Sequence, residues 1–383
     1  MNEKKEIEKI IGEFSEERRN SFVTLHNLKE EGKPIIGMFC TYLPVEIVMA
    51  MGGIPVVLCS TSEETIPDAE QDLPRNLCPL IKSSYGFAKT EKCPFFYFSD
   101  LIVGETTCDG KKKMYEYLGQ FKKVYVMELP NRQSEDGLIL FKNELIRFVK
   151  YLEEMFHVTI TEEKLREAVR LKNRERIALM RFYRLMKYDP APITGTELFQ
   201  VLNGVSYRFD KEQEIEQLNI LCDAIEKRYK EGKCLEKKPR ILVTGSPVGG
   251  GAFKVVTGIE ENGGVVVTYE NCSGAKSIEG LVDEECEDIY EALARRYLAI
   301  GCSCMSPNQN RYDLLGRLIE EYKVDGVIDV VLQACHTYSL ETLGIKRYVK
   351  ESYHIPYMAI ETDYSTGDIG QLNTRLTAFL EML

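Results

Sequence analysis

The sequence has no tryptophan and only four histidines. So few imidazoles disfavour a zinc or non-haem iron site built from histidine, which is the commonest ligand in such sites. Basic residues are also in the minority, because 49 Lys and Arg stand against 60 Asp and Glu, for a formal charge of −11. An acidic chain of this kind is not expected to bind nucleic acid.

Long apolar runs are absent as well, since none reaches the roughly 18 residues that a membrane span requires. The N-terminal stretch MNEKKEIEKIIGEFSEERRN is a charged amphipathic pattern without the apolar core of a signal peptide. We therefore expect a cytoplasmic protein that does not contact a membrane. In the cytoplasm thiols are kept reduced, so the 12 cysteines are not expected to form a disulfide framework. Metal binding, redox chemistry and plain packing remain as their roles.

The chain also lacks the G-x-x-x-x-G-K-[ST] loop that binds nucleoside triphosphates. Its one glycine-rich turn after a predicted strand, TGSPVGGGAF, has no lysine placed to reach β- and γ-phosphates. We interpret Gly249, Gly250 and Gly251 as positions where the backbone comes close to the occupant of a neighbouring crevice.

Short apolar runs alternate with helical periods in two segments, residues 33–136 and 238–383, which predicts βαβ units and parallel sheets. The predicted strands are 34–39, 54–58, 101–105 and 124–128, and then 240–244, 265–269, 326–332 and 356–361. The order of elements repeats, and YVMELP in the first segment corresponds to YMAIETD in the second. The sequence thus predicts an α/β fold with two doubly wound parallel-sheet domains, Rossmann- or flavodoxin-like, related by internal duplication.

Two further segments are helical by period. Residues 1–32 form an N-terminal helical segment, and residues 137–237 form a charged amphipathic region that joins the two domains. We expect this connecting region to pack across both domains and to carry a subunit contact.

Several cysteines stand where a strand runs out or a helix begins: Cys40, Cys78, Cys108 and Cys335. In an open parallel sheet the carboxyl ends of the strands form the ligand crevice. Thiols gathered there can hold a soft metal or an iron–sulfur cluster.

The cysteines of the two halves match in position. Cys335 corresponds to Cys108, and Cys302 or Cys304 corresponds to Cys78, with the spacing favouring Cys304. Cys78 and Cys108 are 30 residues apart, and Cys304 and Cys335 are 31 apart. Ser246 occupies the position that matches Cys40, and Cys272 in YENCSGAK can supply the third thiolate instead. The pattern predicts three thiolates from each half.

Other interpretations of these residues stay open. A buried cysteine often packs as a small apolar residue, and we assign the cysteines without a symmetric partner to that role: Cys59, Cys93, Cys222, Cys234 and Cys286. Zinc sites made of four cysteines usually use C-x₂₋₄-C pairs, and the chain has only the closer C-S-C. Glu46 and His336 are candidates for proton transfer, although a carboxylate at a helix N-terminus is also explained by the helix dipole.

With these residues assembled, the chain resembles the 2-hydroxyacyl-CoA dehydratase D-component and benzoyl-CoA reductase family. The stretches that carry the resemblance are CTYLPVEIVMAMGGIP, the helix that starts at Cys78, GETTCDGKKKMYEYL, GCSCMSPNQNR, VDGVIDVVLQACHTYSLE and IETDYSTGDIGQLNTRLTAFLEML. The resemblance implies an iron–sulfur cluster on Cys40, Cys78 and Cys108. It also implies low-potential electrons from a separate ATP-hydrolysing activator that has its own 4Fe–4S cluster.

The full cysteine set in the second half is similar to the double-cubane branch of that family. This likeness implies an 8Fe–9S cluster in each subunit of a homodimer and ATP-dependent reduction of a small-molecule substrate. We expect an enclosed cavity between the domains, lined by the cluster, Glu46, His336 and the glycine turn. The alternatives are a 2-hydroxyacyl-CoA dehydratase or aryl-CoA reductase subunit with a single 4Fe–4S cluster, and a non-enzymatic metal carrier.

Overall fold

The chain folds around two four-stranded sheets in a computed structural model that describes residues 3–383. Every strand pairing is parallel, and both sheets have the same order, with the second strand outermost, then the first, third and fourth. The strands are β1 (Ile35–Met38), β2 (Ile54–Val57), β3 (Leu101–Glu105), β4 (Val124–Met127), β5 (Arg240–Gly245), β6 (Val265–Tyr269), β7 (Gly326–Leu332) and β8 (Tyr357–Thr362). The α/β fold class is confirmed, and the predicted strands differ from these bounds only at their ends.

Helices cover both faces of the sheets. They are α1 (Glu3–Glu30), α2 (Val45–Ala50), α3 (Ile66–Ala69), α4 (Pro79–Lys89), α5 (Pro94–Phe98), α6 (Asp109–Leu118), α7 (Glu135–Phe156), α8 (Glu162–Arg184), α9 (Gly195–Gly204), α10 (Lys211–Lys230), α11 (Lys254–Glu261), α12 (Ala275–Ile278), α13 (Ile289–Leu298), α14 (Gln309–Glu321), α15 (His336–Tyr348) and α16 (Ile369–Leu380). None of the helices in residues 3–383 is long and apolar enough to cross a membrane.

The central strands are continuous apolar runs because both of their faces are covered. All residues of the central strands β5 and β7 and of the edge strand β6 are buried, whereas the edge strands β2, β4 and β8 are partly exposed. In each sheet the second strand lies on one side of the first strand, and the third strand lies on the other side. The connections that follow the first and third strands therefore lead in opposite directions, and a crevice opens at the carboxyl ends of these two strands. Cys40, Cys108 and Cys335 follow β1, β3 and β7 within three residues.

The long helices between the sheets begin at capping residues that the sequence supplies. The side chains of Ser134, Thr161, Thr194 and Asp210 each accept a hydrogen bond from a backbone N–H in the first turn of α7, α8, α9 and α10, respectively. The side chain of Glu197 in turn accepts a hydrogen bond from the backbone N–H of Thr194, which completes a capping box. These helices therefore start where local chemistry satisfies their free N–H groups.

The connecting helices share their apolar cores with both sheets. One core combines residues of β1 and β3, the inner faces of α7 and α8, and α13 with the chain after it. A second core joins α1, α8, α9 and α10 to β5, β6 and β7. The helical region thus packs against both halves. The domain boundaries at residues 137 and 237 stay a prediction from the sequence.

Direct hydrogen bonds close the two halves on each other. The N–H of Gly251 donates to the carbonyl of Thr61 at 3.0 Å, and the hydroxyl of Tyr42 donates to the carbonyl of Ile300 at 2.8 Å. A β-carbon on Gly250 would lie 2.1 Å from the Thr61 carbonyl oxygen, and Gly250 has a φ of +52°. The glycine turn is therefore explained by its close contact with the other half.

We expect Gly251→Ala to lower the free energy of unfolding by about 1–3 kcal/mol, because added atoms in a packed contact force the backbone apart. The new β-carbon would lie 2.4 Å from the carbonyl oxygen of Tyr364. Denaturant unfolding measures the change. Gly370→Ala in α16 is the matched control, since a β-carbon there meets nothing within 4 Å. Equal stability of the two variants would contradict the assigned contact.

Candidate functional site

The site is a cavity of about 800 Å³ between the two halves, and thiols are its most distinctive lining. All the cysteines predicted as ligands line it, and so does one that was not: Cys40, Cys78, Cys108, Cys272, Cys302, Cys304 and Cys335, with Cys59 in addition. Its volume lies toward the upper end of the range of about 300–1,000 Å³ usual for small-molecule sites. The structure therefore brings the cysteine sets of both halves to one place.

Three of these thiols occupy the residue just before a helix. Cys78, Cys108 and Cys335 are the N-cap residues of α4, α6 and α15, and Pro79 supplies the fixed φ that favours the first turn of α4. None of the three forms a regular capping bond. The first N–H groups of these helices nevertheless face the sulfurs, which gives an anionic ligand partial positive charge nearby.

Thiols from opposite halves meet in pairs. Cys40 is hydrogen-bonded to Cys272, which raises the pKa of Cys40 together with burial and lowers the pKa of Cys272. Cys78 is hydrogen-bonded to Cys335 in the same way, so the pKa of Cys335 falls to about 6 while that of Cys78 rises. In each pair one sulfur is disposed to be a thiolate while its partner keeps a proton. These cross-half pairs require both sheets to present their carboxyl ends to the same cavity.

The C-S-C stretch supplies a third pair, within one loop. A hydrogen bond between its thiols lowers the pKa of Cys302 and raises that of Cys304. Ser246, which matches Cys40 in sequence, also lines the cavity, and its hydroxyl accepts the N–H of Leu332 at 3.2 Å. Cys272 lines the same cavity as Ser246, and its role as the third thiolate of the second half stays a prediction.

The cysteines of the cavity lining come from separate segments of the chain and surround a shared volume. A zinc ion would need four such ligands around one point. An iron–sulfur cluster instead takes one thiolate at each of several irons, so its ligands stand apart around a shared volume. Pairs of thiols from different segments around a common cavity match the second requirement.

Two lysines flank the thiols, one from each half. Lys111, half-buried in α6, lines the cavity. The hydrogen bond to Cys272 and burial raise the pKa of Cys40, and burial raises the pKa of Cys59, while the charge of Lys111 opposes both rises. Lys276 is buried and forms an ion pair with Glu270 at 3.1 Å. Glu105 is buried at the end of β3, and burial raises its pKa to about 7 although Lys111 opposes the rise. The site therefore contains fixed positive charge beside its sulfur atoms.

Glu46 does not line the cavity. Its side chain is completely buried, where Arg176 pairs with it at 2.8 Å and the hydroxyl of Tyr297 donates to it at 2.7 Å. Arg176 and Tyr297 are the residues that line the cavity there. Burial would raise the pKa of Glu46, but Arg176 and Tyr297 hold it below its usual value. The geometry gives Glu46 the role of a counter-charge, and the lining expected from the sequence is corrected accordingly.

Most of the remaining candidate residues line the cavity, and one does not. His336, the first residue of α15, lines the cavity, as do Gly249 and Gly250, whereas Gly251 does not. Cys59, which the sequence pattern assigns to packing, follows β2 by two residues and donates to the carbonyl of Phe39 at 2.7 Å. Its position at the end of a strand is the signal that could have identified it.

Comparisons with known proteins agree with the sequence resemblance. Residues 40–383 match the family model described as 2-hydroxyglutaryl-CoA dehydratase, D-component. A protein of Escherichia coli K12 with the name "Putative dehydratase subunit YjiM" is 57% identical over 98% of both chains. The (R)-phenyllactyl-CoA dehydratase beta subunit of Clostridium sporogenes is 25% identical over 98% of this chain and 99% of its own. A subunit of benzoyl-CoA reductase from Thauera aromatica is 25% identical over 69% of this chain and 64% of its own.

We expect Glu46→Gln to lower the free energy of unfolding at neutral pH by about 3–5 kcal/mol, because Arg176 is left buried without its counter-charge. Folding lowers the pKa of Glu46 from its ordinary 4.5, so the wild-type pair stabilises the fold above that pH. This stability is lost as the pH falls through the folded-state pKa. Denaturant unfolding at several pH values should show that this acid-dependent loss is missing in the variant.

The matched control for that experiment is Glu116→Gln, since Glu116 is exposed and pairs with Lys113 on the same helix. We expect its stability to stay within about 0.5 kcal/mol of wild type. A Glu46→Gln protein as stable as this control would contradict a structural role for the ion pair.

Proposed function

Because the chain belongs to the 2-hydroxyglutaryl-CoA dehydratase D-component family, we propose that it is an iron–sulfur reductase with an 8Fe–9S double-cubane cluster between its two α/β domains. It receives low-potential electrons from a separate ATP-hydrolysing activator that carries a 4Fe–4S cluster, and it reduces small molecules. It works as a homodimer. The dehydratases and reductases among its relatives support the enzyme class, and the thiols of this chain support the particular cofactor.

One observation carries the proposal: cysteines of both halves line one cavity and meet in cross-half pairs. A single cubane on Cys40, Cys78 and Cys108 would leave the thiols of the second half without a role. The six ligands we propose are those three with Cys272, Cys335 and one of the C-S-C pair. Such an arrangement provides three thiolates for each cubane of a double cluster.

A cluster held by these cysteines would supply low-potential electrons for the reduction of a substrate. The residues of the chain supply the conditions for that transfer. The N-termini of α4, α6 and α15 and the charge of Lys111 stabilise anionic sulfur. The closed halves limit the access of water, which would otherwise consume electrons as protons are reduced. Lys111 and His336 line the cavity and are the groups placed to hold a proton for the substrate.

The alternative is a 2-hydroxyacyl-CoA dehydratase or aryl-CoA reductase subunit with one 4Fe–4S cluster. Relatives named as dehydratase and reductase subunits are compatible with it, and the cavity is larger than a molecule of a few atoms needs. Against it, four of the five Lys and Arg side chains that line the cavity away from the thiols have carboxylate partners, and the fifth, Arg18, lies over the ring of Tyr207. These pairs are Lys172 with Glu175 at 2.7 Å, Arg176 with Glu46 at 2.8 Å, Arg208 with Glu17 at 2.8 Å and Lys211 with Glu214 at 2.7 Å. Paired cations offer little to the phosphates of coenzyme A.

We expect the anaerobically purified chain to hold about eight irons, in keeping with a double-cubane cluster. Cys335→Ser should lose a large part of that iron while the protein stays folded, because it removes one thiolate at a half-buried position. Iron and acid-labile sulfide per chain are the measurements. Cys234→Ser is the control, since Cys234 lies outside the cavity lining and should leave the iron content unchanged. About four irons in wild type would support the single-cluster alternative, and unchanged iron in Cys335→Ser would exclude the six-ligand assignment.

The activity test supplies the chain with a reduced activator and ATP, and compares small unsaturated or N–N-bonded molecules with a 2-hydroxyacyl-CoA thioester. We expect reduction of the small molecules, and no turnover when the activator is omitted, because the chain has no loop for binding ATP. Product analysis separates reduction from dehydration. Efficient dehydration of the thioester without reduction of small molecules would place this chain with the dehydratases instead.

A further inference from the structure

A network of buried charges lies behind the cysteines of the second half. The ammonium group of Lys276 pairs with one oxygen of Glu270 at 3.1 Å. The other oxygen of Glu270 accepts a hydrogen bond from the hydroxyl of Thr244 at 2.6 Å and faces the guanidinium of Arg311 at 3.4 Å. Arg311 also donates to Thr244 at 2.9 Å. These four residues are all buried, and burying so much charge is costly unless each group is paired.

Tyr338 connects this network to the cavity. It is buried and lines the cavity, and Lys276 and Arg311 lie 5.4 and 4.9 Å from the centre of its ring. The ammonium group of Lys276 is 3.0 Å from the Tyr338 hydroxyl, which in turn is 3.7 Å from the sulfur of Cys302. Tyr338 thus stands between a buried cation and a candidate ligand.

The direction of these hydrogen bonds follows from the chemistry of the groups. An ammonium group can only donate, so the oxygen of Tyr338 accepts from Lys276 and keeps its own hydrogen for Cys302. Cys304 has the opposite environment. Its sulfur is 4.0 Å from the hydroxyl of Tyr42, which donates its hydrogen to the carbonyl of Ile300 at 2.8 Å. Cys302 therefore faces a donor, which suits a thiolate, and Cys304 faces an acceptor, which suits a thiol.

We propose that Lys276, acting through Tyr338, is a positioning residue that compensates the thiolate of Cys302 and makes Cys302, rather than Cys304, the cluster ligand from the C-S-C stretch. This inference rests on the proposed function and names a ligand that the spacing of the sequence does not favour. A hydrogen bond and a nearby positive charge on a ligand sulfur stabilise the reduced cluster. The network therefore also contributes to the reduction potential of the cluster.

The first test removes the hydroxyl alone. In Tyr338→Phe we expect wild-type iron content and a midpoint potential shifted to a more negative value, measured by optical redox titration of the iron-loaded protein. Tyr357→Phe is the matched control, because it deletes a tyrosine hydroxyl in the same half of the chain. That hydroxyl donates to the carboxylate of Asp329 at 2.7 Å instead of facing a cysteine. An unchanged potential in Tyr338→Phe, or an equal shift in both variants, would overturn the proposal.

The second test removes the cation. Lys276→Met alone would leave Glu270 buried with the longer contact to Arg311 as its remaining ion pair, so the variant is made together with Glu270→Gln, which removes both charges. We expect the midpoint potential of this double variant to be more negative than that of wild type, since the cation next to the Tyr338 hydroxyl is lost. Wild-type potential in a folded double variant, shown by its circular dichroism, would overturn the role of Lys276.

The third test compares the two cysteines directly. Cys302→Ser should lose iron, whereas Cys304→Ser should retain it. The reverse result would overturn the ligand assignment while leaving the proposed function intact. Wild-type protein that binds no iron would overturn the proposed function, and this inference with it.

Discussion

The site depends on the contact that holds the carboxyl edges of the two sheets against each other. Each sheet by itself would present three or four thiols to solvent. When the Gly251 N–H bonds to the Thr61 carbonyl and Tyr42 bonds to Ile300, the two edges enclose one cavity. Only in this closed arrangement do Cys40 and Cys272 come within hydrogen-bonding reach. A shared cofactor that bridges the halves would stabilise the same arrangement, because a ligand bound only by the closed form favours it.

The buried charged groups of the molecule follow from the closed arrangement of the two halves. Placing anionic sulfur in a closed cavity requires fixed positive groups nearby, since water is not available to solvate it. Lys276 meets this need from the second half and is itself held by Glu270. Arg176 and Glu46 form another buried pair at the wall of the cavity. These pairs are expected to specify the position of the elements more than to add stability, since desolvation offsets much of their attraction.

The sequence pattern identifies the thiols but misplaces several of their neighbours. Glu46 follows Cys40 closely and begins a helix, which makes a position facing the crevice a reasonable expectation. Its partner, Arg176, is 130 residues away in the chain, and no local pattern shows such a contact. Gly251 lies outside the cavity lining for a similar reason, since its N–H bonds to the Thr61 carbonyl of the other half and its Cα faces Tyr364 of its own half. Cys59 lacks a symmetric partner in the sequence, although its place after β2 also faces the cavity.

The sequence by itself determined the two parallel sheets, the repeated order of their strands and the cysteines at the strand ends. These features are local, because apolar runs, helical periods and turn residues act over a few positions of the chain. The tertiary structure alone decided which thiols pair, which carboxylates are turned inward, and that Cys302 faces a donor while Cys304 faces an acceptor. Such contacts join residues far apart in the chain, so their geometry exists only after the two halves have closed.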